Sequence, residues 1–108
     1  MSNDERFVRG SGNVFADLGI PDADEELTKA ELAATIRETI RQRRLTQVQA
    51  AAILGIDQAK ISAIMNGKVS GYTYDRLVKY LKKFNRDVTI VVGPENADRE
   101  GQAMVAIA

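Results

Sequence analysis

Between residues 23 and 44 the chain has neither glycine nor proline, and apolar side chains return every three or four positions: Leu27, Ala30, Ala33 or Ala34, Ile36, Ile40. That is the period of a helix with one apolar face, so the pattern predicts a single amphipathic helix over 23–44. At 1.5 Å per residue it would be about 33 Å long. Asp22 stands where an N-cap belongs, with Glu25 three residues on as in a capping box. The last turn, Arg41-Gln42-Arg43-Arg44, puts cations where a helix C-terminus favours them.

Three shorter helices are expected to follow. Thr46 caps Gln47–Leu54, with Gln49 at the capping-box position, and Gly55 stops it. Asp57 caps Gln58–Met65, which runs out at Asn66-Gly67. Thr73 caps a helix over 74–84 that carries Leu77, Val78 and Leu81 on one side and Lys79, Lys82 and Lys83 on the other, and Asn85 is a left-handed stop. The pattern then changes period. Val88-Thr89-Ile90-Val91-Val92 is β-branched throughout and ends at Gly93-Pro94, which predicts a strand.

A lone strand cannot satisfy its own backbone, so it needs a partner. The candidates are the same strand of a second copy, the segment Phe7-Val8-Arg9, or the tail 104–107. The second copy is preferred, which makes Val88, Ile90 and Val92 a dimer strand and the protein a twofold homodimer.

The flanks are less regular. Residues 1–21 form an N-terminal arm with Gly10, Gly12, Gly19 and Pro21, in which 13–18 can make one short turn burying Phe15 and Leu18. Residues 22–92 are expected to be the folded domain, and 93–108 a flexible tail. The expected fold is all-α, about five helices with a C-terminal β-strand.

Composition narrows the chemistry. A chain of 108 residues with 44% apolar and 28% charged residues suits one globular domain. With no cysteine and no histidine there is no disulfide, thiolate nucleophile or imidazole base. The acidic run Asp22, Asp24, Glu25, Glu26 is accounted for by a helix N-terminus, so no metal site, cofactor or catalysis is expected. No run of 18 apolar residues occurs and the first six residues are polar, so the expectation is a cytoplasmic protein with no membrane partner.

The net charge of zero conceals segregation. Residues 1–26 hold seven acids against two arginines, residues 27–92 twelve cations against five acids, and residues 93–108 three acids against one arginine. A basic middle suits a polyanion, and an acidic arm suits a basic partner.

Two short helices joined through a glycine outline a helix-turn-helix. Ala50, Leu54, Ile56, Ile61 and Ile64 supply its apolar positions, and Ala51 allows close helix approach. The outward candidates of the second helix are Gln58, Ala59, Lys60, Ser62 and Ala63. Glutamine can bond adenine through two contacts, serine reaches several base edges, and an alanine methyl packs on thymine. Residues 36–84 resemble the lambda-repressor-like, or XRE-type, helix-turn-helix regulators. The matching segments are Leu45-Thr46-Gln47, Ala50-Ala51, Leu54-Gly55-Ile56, Ile61-Ser62 and Asn66-Gly67-Lys68.

The resemblance implies a repressor that binds a pseudo-palindromic operator in double-stranded DNA. It implies base reading at Gln58, Ala59 and Ala63 and flanking phosphate contacts at Gln47 and Asn66. Arg43, Arg44, Thr46 and Lys68 join the expected phosphate set. Asp57 departs from it: as a cap it is sensible, but a carboxylate near phosphates weakens binding unless it accepts from cytosine N4. The lead-in Gly12-Asn13-Val14-Phe15-Ala16-Asp17-Leu18-Gly19 is similar to the HigA-like antitoxin subgroup. Its partner would be a small basic RelE-like toxin. The alternatives are a stand-alone XRE-type repressor and a protein-interaction module that keeps the fold without DNA.

Overall fold

A computed structural model describes residues 23–107. They contain four helices: α1, Ala23–Gln42; α2, Gln47–Leu54; α3, Gln58–Met65; and α4, Tyr74–Lys83. The expected fifth element, the short turn at 13–18, lies outside the described residues.

Each of α2, α3 and α4 begins on the expected cap. Thr46, Asp57 and Thr73 hold extended backbone and accept from the N–H groups of Gln49, Lys60 and Arg76. At Thr46 the capping box is complete, since Gln49 Oε1 also accepts the Thr46 N–H at 2.8 Å. All four helices end in the same way. A residue in the left-handed region follows the last turn, and the next N–H reaches back five residues to a helix carbonyl. Those bonds are Leu45 to Ile40 (3.0 Å), Ile56 to Ala51 (3.1 Å), Lys68 to Ala63 (2.8 Å) and Arg86 to Leu81 (3.1 Å). The left-handed residues are Arg44, Gly55, Gly67 and Asn85, with φ of 55°, 71°, 75° and 64°.

Arg44 explains why α1 stops at Gln42 instead of reaching residue 44. A left-handed residue with a side chain costs roughly 1–2 kcal/mol. The motif is kept there because Leu45 then packs against the core.

The chain divides into two units. Residues 29–90 enclose one apolar cluster of Ile36 and Ile40 from α1, Ala50, Ala51 and Leu54 from α2, Ile61 and Ile64 from α3, and Leu77, Tyr80, Leu81 and Phe84. Phe84 is its largest fully buried side chain. The other unit joins the start of α1 to the end of the chain. There the Ala103 N–H donates to Asp24 Oδ2 at 3.2 Å. Thr28 Oγ1 donates between the carbonyl oxygens of Asp24 (2.8 Å) and Ala103 (3.0 Å). One point of the expected flexible tail is therefore hydrogen-bonded to the first turns of α1.

The strand expected at 88–92 does not form: no strand occurs among the described residues, and 87–97 has no regular secondary structure. Its β-branched composition favours extended backbone, but a strand requires a paired edge, and none occurs among the described residues. Val88 packs against the core cluster, whereas Ile90, Val91 and Val92 are 79%, 77% and 90% exposed.

Candidate nucleic-acid interface

α2 and α3 are two eight-residue helices joined by Gly55-Ile56-Asp57. Gly55 takes the left-handed conformation that lets the chain reverse within three residues. Asp57, the apparent departure from a phosphate-facing surface, is occupied as the α3 cap, accepting the Lys60 N–H at 3.2 Å.

Two cations from outside the pair close its helix ends. Lys83 Nζ donates to the Leu54 carbonyl at 3.1 Å, and an Arg37 guanidinium nitrogen donates to the Ile64 carbonyl at 3.1 Å. Each meets the negative end of a helix dipole, and the Ile64 carbonyl accepts the Gly67 N–H at 3.0 Å as well. Sequence inspection missed both, because each pairs with a carbonyl 27 or 29 residues away. The only visible signal was a cation on α1 or α4 outside the apolar pattern.

The faces of α3 separate cleanly. Ile61 and Ile64 are fully buried. At 100° per residue, Ala59, Ser62 and Ala63 fall on the opposite side, and Gln58 lies on the flank away from Lys60. Gln58 and Ala59 are exposed, and Ser62 and Ala63 half-buried. Lys60, expected among the base-reading residues, lies elsewhere. It is exposed on the flank of α3 that faces α4 and lines a groove with Thr73, Arg76 and Lys79.

The expected phosphate residues divide similarly. Thr46 and Gln47 mark the α2 N-terminus, Asn66 and Lys68 are exposed just past α3, and Arg44 is exposed before α2. Arg43 does not join them. Its guanidinium donates to the Phe84 carbonyl and sits 5.5 Å from the centre of the Phe84 ring, so it closes the C-terminal end of α4.

Cations also set the local electrostatics on α4. Burial raises the Tyr80 phenol above its ordinary pKa, while the neighbouring Arg76 guanidinium acts in the opposite direction and Tyr72 adds to the rise. Lys29 of α1 sits 6.0 Å from the Tyr74 ring centre, fastening α1 to the start of α4.

A helix-turn-helix domain family matches residues 14–93. A solved structure described as an XRE-family transcriptional regulator superposes on this chain with a TM-score of 0.72 and 39% sequence identity. The match covers 82% of this chain and 99% of that one. This chain belongs to the XRE family of helix-turn-helix regulators. No curated protein matches it. The family match over 14–93 spans all four helices, well beyond the two short ones. Among the described residues no helix is long and apolar enough to cross a membrane.

Proposed function

We propose that this XRE-family protein is a sequence-specific repressor that acts as a twofold dimer and serves as the antitoxin of a toxin–antitoxin module whose operon it autoregulates. The observation that carries the DNA reading is the α3 face. Gln58, Ala59, Ser62 and Ala63 are small or flexible, turn away from the core, and are flanked by Thr46, Gln47, Asn66 and Lys68 at two helix ends. A helix with short outward side chains enters a major groove, and the flanking groups fix its register through phosphates. Lys68→Ala is expected to weaken all duplex sequences alike, which separates positioning from reading.

The dimer rests on residues 88–92. Val88 is anchored in the core cluster, and Ile90, Val91 and Val92 after it are exposed on a β-branched run whose backbone edges need partners. Pairing Val88, Ile90 and Val92 with the same residues of a second copy would satisfy those edges and give a two-stranded antiparallel ribbon. A twofold protein reads half-sites about one helical turn apart, hence a pseudo-palindromic operator. Ile90→Pro removes a ladder donor from this segment. Light scattering is expected to show monomer, with reduced operator affinity and unchanged helical circular dichroism. A variant that remains dimeric would place the interface elsewhere.

The antitoxin role rests on charge. Residues 1–26, the arm together with the first turn of α1, carry five net negative charges beside a middle section with seven net positive ones, and a segment of that sign complements a basic toxin. The arm lies outside the described residues apart from its junction with α1. Deleting residues 1–12 removes the apolar anchor Phe7 and leaves the net charge unchanged, and is expected to leave DNA binding intact and to weaken co-purification of a co-expressed neighbouring gene product. If the intact chain retains no such product, a stand-alone repressor is the remaining reading.

A further inference from the structure

The groove between the α2–α3 turn and α4 is not used by the reading above. Its volume is about 430 Å³, and Lys60, Arg76, Lys79 and Lys83 line it with a single acid, Asp75. Ligand pockets of this size are usually apolar, with a few placed polar groups. Here the lining cations outnumber the acid four to one. Like charges gathered in a concavity repel one another unless an anion enters. Lys83 gives one donor to the Leu54 carbonyl, and an ammonium has three, so it can serve both the helix end and an anion.

We propose that this groove seats a stretch of DNA phosphate backbone, so that the duplex contacts the protein along α4 as well as at the ends of α2 and α3. The inference rests on the DNA-binding reading and deepens it by assigning a strand path. Two observations favour DNA over an acidic peptide or a small anion. First, the groove is continuous with α3: Lys60 is the third residue of that helix and sits within two residues of both Gln58 and Ser62. A strand lying in the groove therefore adjoins the base-reading face. Second, Arg76, Lys79 and Lys83 are spaced i, i+3 and i+7, one stripe on α4 about 10 Å long. That length spans about two successive phosphates of one strand, whose winding path is longer than its 3.4 Å axial rise. Lys60 accordingly moves from the base-reading set to the phosphate set.

The test is a salt titration of the full chain on a random-sequence 30-base-pair duplex, read by fluorescence anisotropy between 50 and 200 mM salt. Arg76→Ala combined with Lys79→Ala removes two exposed side chains that cap no helix. The slope of log affinity against log salt is expected to fall by about 1.8 units, from 0.9 per phosphate lost. Operator and random DNA should lose affinity by the same factor. Lys60→Ala should lower the slope by about 0.9 unit without changing the ratio of operator to random affinity. Lys82→Ala, an exposed cation of the same helix outside the groove, should leave the slope unchanged.

A double variant with the wild-type slope, while the wild type itself binds steeply, would overturn the groove assignment and leave the DNA reading standing. So would an unchanged slope accompanied by lost binding of a peptide of residues 1–26, which would make the groove a seat for an acidic segment. A wild type that shows no salt-dependent duplex binding would overturn both readings together.

Discussion

Replacing Phe84 with alanine is expected to lower the unfolding free energy by about 3–5 kcal/mol, the range for removing a fully buried aromatic side chain. Phe84 is fully buried, follows directly on α4, and belongs to the cluster formed by all four helices. Its removal leaves a cavity beneath α1 and α4 together, and the Arg43 guanidinium loses the ring beside it. That second loss adds on the order of 0.5–1 kcal/mol at a site as exposed as Arg43. A small domain has 5–15 kcal/mol in total, so the variant should melt at least about 15 °C lower by circular dichroism. Phe84→Leu keeps most of the volume and should lose about 1.5 kcal/mol. If the alanine variant lost under 1 kcal/mol, the end of α4 would not be part of the core.

The second large effect concerns reading. Gln58→Ala is expected to weaken binding to the operator by about 1–3 kcal/mol, roughly 5- to 150-fold, and to change random-DNA binding little. Gln58 is the first residue of α3, exposed and adjacent to the cap Asp57, so its amide projects from the end of the helix that would enter the groove deepest. Its substitution leaves the Asp57 cap and the Ile61 and Ile64 packing in place. The operator is obtained by selection from a randomised duplex library and confirmed by anisotropy. Equal losses on operator and random DNA would make Gln58 a backbone contact and remove it from the reading set.

Much of this fold was legible because the helix starts are local. Thr46, Asp57 and Thr73 bond N–H groups three residues away, so the signal lies within one turn of sequence. The same is true of Gly55, Gly67 and Asn85, residue types that enter the left-handed region most readily. Arg44 was not legible, since arginine carries no preference for that conformation and is selected by where Leu45 must pack.

The site was legible by face and less so by partner. Periodicity placed Gln58, Ala59, Ser62 and Ala63 outward, but the destinations of Arg37, Arg43, Lys60 and Lys83 depend on which element packs beside them. Nor does a β-branched run disclose whether a second edge exists for it. Residues 88–92 have strand composition and no strand in the single chain.

The closures of α3 also bear on how this regulator can change its target. The helix is started by Asp57, stopped at Gly67, tied down by Arg37 and buried through Ile61 and Ile64. None of those duties falls on the side chains of Gln58, Ala59, Ser62 or Ala63, which lie outside both the caps and the apolar cluster. If those four side chains read the operator as proposed, stability and recognition occupy separate alphabets on one eight-residue helix. Lineages carrying this scaffold could then drift to new operators by substitutions at four positions, while the frame that presents them is inherited unaltered.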